Sequence, residues 1–281
     1  MKHWLVAVAI LGLAWCSGMA MFTRPNLVPR LDEDVVHTGS FVITNPVFNY
    51  DMETWADPLV YDAGPNLLHM SNIGPVQAIA GTNSDGRIEY SARFDGTNDF
   101  LSRPYNAAIS NTLGTIMWWW KYDVLPGSWM YMLDIGRNDQ AFKTELGVRF
   151  DNGAAGDLEA TLRINSVVQW SRTTTNFYGS RTNQWIHFAI TQDGTNPVIF
   201  IDGTEALLSS STLGGGTWLA NLYEIDHMTI GALLQDGVVH AGTVPWDGEI
   251  DNVLLFNRWM AQPEIALFAT NTYPPSCQSY R

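Results

Sequence analysis

Trp246-Asp247-Gly248-Glu249-Ile250-Asp251-Asn252-Val253-Leu254-Leu255-Phe256-Asn257-Arg258 is the stretch whose reading decides the fold. It reads as a strand that carries an acidic pair, Glu249 and Asp251, and ends beside a short helix, Gln262 to Phe268. Two carboxylates on one strand suit either a hydrolytic site or a plain element of a β-sandwich. Which of the two it is decides whether the chain is an enzyme.

Upstream of this stretch the chain reads as strand after strand. Segments 87–94, 99–103, 115–122, 129–135, 144–150, 158–164, 167–171, 184–191, 197–201 and 229–233 are each bounded by turn residues. Asp95-Gly96, Asp151-Asn152-Gly153, Asp193-Gly194 and Asp202-Gly203 supply the tight turns. Short strands at this spacing with Asp-Gly and Asn-Gly turns mark an all-β sandwich or barrel. One helix is expected, near Pro263 to Phe268, with Pro263 at a favourable early position. No internal repeat is visible.

The chain has 281 residues, enough for one large sandwich, and 46% of them are hydrophobic, which supports a packed core. A formal net charge of -13 argues against nucleic acid as a partner, because phosphates call for a basic surface. Lys2, Lys121 and Lys143 are the only lysines. Twelve tryptophans are many for this length. Trp carries an apolar body and a polar handle, so it serves cores and ligand platforms alike.

Residues 1–20 have a basic start at Lys2 and His3, an apolar run from Trp4 to Trp15, and small residues at Gly18 and Ala20. That is the pattern of a secretory signal peptide, placing the protein outside the cytoplasm. The same segment, taken as residues 4–22, is just long enough to span a bilayer if Ser17 and Gly18 are tolerated, so an N-terminal anchor is the alternative. Trp15 is too bulky before Cys16 for a lipoprotein site. Cys16 and Cys277 are the only cysteines, so loss of the first leaves no internal disulfide. Residues 21–44 read as an extended linker broken by Pro25 and Pro29, residues 45–270 as the folded domain, and 271–281 as a tail.

In order along the chain, several segments resemble the laminin-G-like, concanavalin A-like jelly rolls. These are Phe94-Asp95-Gly96-Thr97-Asn98-Asp99-Phe100-Leu101, Thr115-Ile116-Met117-Trp118 and Trp185-Ile186-His187-Phe188-Ala189-Ile190-Thr191. They continue with Phe200-Ile201-Asp202-Gly203, Ile230-Gly231-Ala232, and Gly248 to Val253 followed by Pro263-Glu264-Ile265. The turn Asp62-Ala63-Gly64-Pro65-Asn66 is similar to the family's opening turn, with Ala63 and Pro65 as departures, and Ala261 stands where a capping Ser is usual. The resemblance implies two antiparallel sheets packed face to face, with one short C-terminal helix. It also implies that Asp251 bonds backbone or helps a cation.

Related β-glucanases carry a further carboxylate after the pair, where this chain has Val253 and Leu254. Retaining glycosidases need two carboxyls about 5–5.5 Å apart. Without the second carboxylate, the expectation is that the chain is not an enzyme. Calcium, which takes six to eight oxygen ligands, is the expected cofactor if one is bound. Asp62, Asn66, Asp95, Asp99 and Asp251 are the candidate ligands, although Asp-Gly and Asn-Gly also simply make turns. Within the triple-tryptophan strand, Trp118 and Trp120 share one face and Trp119 takes the other. Trp119, Trp129, Trp170 and Trp218 are the candidate platforms for sugar rings, set against ordinary core packing. The histidines show no metal-binding spacing.

The leading reading is a non-catalytic extracytoplasmic module that recognises or adheres to a glycan or surface polymer. The alternative is a structural or decoration protein of an extracellular assembly, such as a viral particle or surface layer, with other copies as partners. A glycoside hydrolase is the third reading.

Overall fold

The computed structural model describes residues 35–38, 41–44, 46–53, 55–56, 58–82, 88–123, 129–138, 143–150, 157–175, 181–212, 215–235, 238–239 and 243–271. The expected leader and, apart from Asn271, the expected tail 271–281 lie outside them. Within the stretch read as linker, the strands Val35–Thr38 and Phe41–Thr44 pair antiparallel.

The fold is a sandwich of two antiparallel sheets. Across the smaller sheet, the described strands run Thr204–Glu205, Val198–Ile201, Ile186–Gln192, Gly114–Tyr122, Asp247–Phe256, Ile88–Asp95 and Gln77–Thr82, with Phe48–Tyr50 also paired to Asp247–Phe256. The larger runs Leu208–Thr212, Val167–Thr174, Leu158–Ile164, Lys143–Phe150, Trp129–Asn138, His227–Ile230, Phe100–Pro104, Met70–Ile73, Leu59–Val60 and Trp55–Ala56. The opening stretch is therefore a central strand of the smaller sheet, which explains its apolar run.

Alternation along the strands fills the space between the sheets. Ile116, Trp118, Trp120 and Tyr122 point inward from one sheet, and Leu146, Val148, Phe150, Leu158, Ala160 and Leu162 from the other. Trp120 packs edge-on against Phe150 at 5.1 Å and against Trp246 at 5.7 Å. Offset and edge contacts of this kind suit the ring quadrupole and add to area burial.

Two turns follow from local chemistry. Asp202 and Gly203 both have positive φ, 50° and 77°, and join Ile201 to Thr204 as a two-residue hairpin loop of the I′ kind. Asn165 and Ser166, at φ 49° and 64°, do the same between Ile164 and Val167. A bulge at Asn252 shifts the register between Met117 and Trp119. The one described α-helix, Gln262–Asn271, runs three residues beyond the expected end at Phe268. Its Ile265 and Phe268 cover Met117, Leu254 and Phe256 on the outer side of the smaller sheet. Among the described residues no helix is long and apolar enough to cross a membrane.

Candidate functional site

The outward side of the larger sheet is built from alternate residues of strands whose inward residues form the core. On Lys143–Phe150 these are Glu145, Gly147 and Arg149, and on Leu158–Ile164 they are Glu159, Thr161 and Arg163. Antiparallel register sets Glu145 directly opposite Arg163, Gly147 opposite Thr161, and Arg149 opposite Glu159. On the other side, Tyr131 faces Arg149 and Asp134 faces Gly147. One strand further, Thr229 faces Asp134. Opposed charges directly across a ladder attract, so the register itself creates the network.

Arg149 is its hub. Its Nη2 donates to Glu159 Oε2 at 2.6 Å and its Nε to the same oxygen at 3.0 Å, while Nη1 donates to the Tyr131 hydroxyl at 2.6 Å. Ser171 Oγ donates to the other Glu159 oxygen at 2.9 Å. The guanidinium lies 4.3 Å over the Trp129 ring and 5.4 Å over that of Tyr131, a cation–π arrangement. Arg163 pairs with Glu145 Oε1, while Glu145 Oε2 is buried with no hydrogen-bond partner.

Glycine makes room for this arrangement. A Cβ on Gly147 would stand 3.1 Å from the Tyr131 ring and 4.0 Å from the Glu145 carboxyl carbon. A Cβ on Gly136 would meet Thr144 O at 2.5 Å and Glu145 Cβ at 2.8 Å.

His227 closes the network at one end. Its Nε2 lies 2.8 Å from Asp134 Oδ2 and its Nδ1 2.5 Å from Asp226 Oδ1. Burial opposes its charge, but the hydrogen bonds and charges of Asp134 and Asp226 outweigh that, and its pKa rises to about 9. Burial pushes the Asp134 carboxyl up to about 6, with the His227 hydrogen bond pulling the other way. The Tyr131 hydroxyl is pushed above the usual phenol range by burial and the Glu145 charge, against the pull of Arg149.

Of the four expected platforms, only Trp129 lies on this face, half-buried. Trp170 and Trp218 are core residues, stacked at 6.1 Å and fully buried, with Trp170 Nε1 donating to Thr217 O at 2.9 Å. Trp119 is on the outward side of the smaller sheet but is 2% exposed, edge-on to His187 at 5.1 Å. As platforms, these three are corrected: packing has claimed them. The sequence reading missed Tyr131, Asp134, Glu145, Arg149, Glu159, Arg163 and His227. For Glu145, Arg149, Glu159 and Arg163 the signal was the charged residues spaced by even intervals in strands 143–150 and 158–164.

The acidic pair sits elsewhere, on the outward side of the smaller sheet. Glu249 is held by Lys121 Nζ at 2.5 Å and by Ser91 Oγ at 2.7 Å. Asp251 lies opposite Trp119 and accepts from the Asn252 backbone N–H at 2.7 Å, so it fixes the bulge.

The expected calcium ligands are not gathered into one group, although Asp95 and Asp99 share a turn. Asp62 Oδ1 accepts from the backbone N–H groups of Asn49 and Gly64 at 2.7 Å each, and its Oδ2 from that of Leu68 at 2.7 Å. Asn66 Nδ2 donates to Val47 O. Asp95 Oδ1 accepts from Thr97 N, and Asp99 Oδ2 from Asp95 N. These carboxylates organise turns, and among the described residues no group of three or more His, Cys, Asp or Glu side chains is placed to hold a metal ion.

Comparison with solved structures finds the same fold. A Trypanosoma rangeli sialidase in complex with sialic acid matches with a TM-score of 0.56 at 16% identity, over 79% of this chain and 32% of that one. A mutant of that sialidase displaying trans-sialidase activity matches at 0.55 and 18% identity, over 80% of this chain and 33% of that one. The Ruminococcus gnavus IT-sialidase CBM40 bound to alpha2,6 sialyllactose matches at 0.50 and 13% identity, over 64% of this chain and 96% of that one. The chain thus spans about a third of the length of the sialidases it matches.

These neighbours correct the expectation of a non-enzyme. Sialidases are catalytic glycoside hydrolases, and this fold forms part of their chains, so the carboxylate missing after Asp251 does not set the chain apart from enzymes. No curated protein matches the chain in sequence. The model of the Concanavalin A-like lectin/glucanases superfamily matches residues 95–266, from the Asp95 turn to the C-terminal helix. With the two-sheet sandwich, that match establishes that the chain belongs to the Concanavalin A-like lectin/glucanases superfamily.

Proposed function

We propose that this chain binds glycans outside the cytoplasm, through the outward side of its larger sheet around Trp129 and Arg149. The observation that carries the proposal is the half-buried Trp129 indole, held by the Arg149 guanidinium at 4.3 Å beside an ordered row of hydrogen-bonding side chains. An indole offers the apolar faces of a sugar ring a flat partner, and fixed polar groups beside it orient hydroxyls. The row is rigid because each charged member is tied across the sheet, so ordering it costs little on binding. The R. gnavus domain with this fold is bound to a sialylated glycan, which supports glycans as the ligand class here. The apolar N-terminal run with its basic start supports export.

A glycan array probed with the full chain tests the proposal. Binding to one or more glycans is expected. Absence of binding across neutral and acidic glycans contradicts it.

A further inference from the structure

We infer that the Trp129–Arg149 face selects uncharged sugars and turns away carboxylated ones, an inference that rests on the glycan-binding reading above. Its ground is the way the cations of this face are already spent. Arg149 is tied to Glu159 and to the Tyr131 hydroxyl. Arg163 is tied to Glu145, and His227 stands between Asp134 and Asp226. Three cations, Arg149, Arg163 and His227, thus meet four carboxylates, Asp134, Asp226, Glu145 and Glu159. With His227 charged and Lys143 counted, which lies outward on the same strand as Arg149 and acts on Asp134, four cations meet four carboxylates, so the face offers an anion no net positive charge.

A carboxylated sugar has to be met by a cation. Lys143 stands at the far end of its strand from Arg149, so beside Trp129 a cation is supplied only if Arg149 leaves Glu159 or Arg163 leaves Glu145. Either exchange strands a protein carboxylate that is largely shielded from water, since the Glu159 side chain is 13% exposed and that of Glu145 is fully buried. Breaking one partner from a buried pair is costly, because the charge left behind is uncompensated. Sugar hydroxyls require no exchange, because they donate to carboxylates and accept from N–H groups whose pairing stays intact. Glu145 Oε2, buried without a hydrogen-bond partner, places uncompensated negative potential beneath the face. The chain's net charge of -13 repels an acidic ligand further at long range. Discrimination then comes from a repulsive element built into the face. The R. gnavus CBM40 is bound to sialyllactose on the same fold, and a shared fold does not fix which glycan a face selects.

The test uses the full chain on paired glycans, each neutral member beside its carboxylated counterpart, with lactose beside alpha2,6-sialyllactose as one pair. The expected result is binding to a neutral glycan with its carboxylated counterpart weaker by about tenfold or more. Equal or tighter binding of the carboxylated member overturns the inference and leaves glycan binding standing. Absence of binding to every glycan overturns the glycan-binding reading and the inference with it. Glu159→Gln frees Arg149 from its carboxylate and is expected to narrow the neutral-to-acidic ratio by about threefold or more; an unmoved ratio in a folded variant overturns the inference. Should that variant not fold, raising salt from about 0.05 to about 0.5 M with the native chain is expected to narrow the ratio by screening the repulsion, and an unmoved ratio again overturns it.

Discussion

Arg149 and Glu159 stand directly opposite each other on neighbouring strands, 2.6 Å apart from Nη2 to Oε2, with the guanidinium plane resting on Trp129. One ion pair thereby fixes both the charge pattern of the larger sheet's outward side and the attitude of its half-buried indole. Arg149→Met leaves Glu159 uncompensated in a largely dry place, and is expected to lower stability by about 3–5 kcal/mol. The double variant Arg149→Met with Glu159→Met removes the stranded charge and is expected to recover part of that loss. Denaturant titration of the two variants measures this; a double variant no more stable than the single one contradicts the account.

His227 gives stability a pH dependence of definite sign. Its pKa rises in the fold to about 9 from an ordinary value of about 6.5. The stabilisation is complete below the unfolded value and is lost as pH rises through the folded one. Stability is therefore expected to fall between about pH 6.5 and about pH 9, with a slope of up to about 1.4 kcal/mol per unit. His227→Gln should flatten that window, as read by the midpoint of urea unfolding. An unchanged slope in the variant counts against the Asp134–His227–Asp226 chain.

His187 works in the opposite direction. Burial alone lowers its pKa to about 3, so the folded ring stays neutral where the unfolded one is charged. Stability is expected to fall as pH drops from about 6.5 toward about 3. His187→Phe removes this component, and the difference between the two pH profiles measures it.

Gly136 holds the two central strands of the larger sheet close together. Gly136→Ala places a methyl group 2.5 Å from the Thr144 carbonyl, a backbone atom that has little freedom to yield. Overpacking of this order costs about 1–3 kcal/mol, and the adjoining Glu145 must shift. Thermal unfolding tests the first effect; an Ala variant as stable as the native chain contradicts it.

The fold was legible because it is local. Asp202-Gly203 announces its own hairpin, the alternation of Leu158 to Ile164 gives a strand at those same bounds, and Pro263 marks the helix start. The site was not legible in the same way. That Arg149 opposes Glu159, and Glu145 opposes Arg163, depends on register between strands, which no single strand states. The tryptophans show the same limit. The alternation of Trp118, Trp119 and Trp120 was readable, but what covers Trp119 and what encloses Trp170 and Trp218 is set by packing from distant parts of the chain. Asp62 looked like a metal ligand because it stands in a turn, and its carboxylate proved to be spent on that turn's own N–H groups.

Glycan affinity in Trp129→Ala set beside Trp259→Ala tests the central claim most directly. Trp259 is 46% exposed and lies between the final strand and the helix, away from the larger sheet's strands, so it is the proper comparison. With a glycan that the native chain binds, calorimetry is expected to show a loss of about tenfold or more for Trp129→Ala, or about 1.4 kcal/mol. For Trp259→Ala the affinity should stay within about twofold of native. Native affinity in a folded Trp129→Ala, or a loss found in Trp259→Ala instead, would contradict the assignment of the Trp129–Arg149 face.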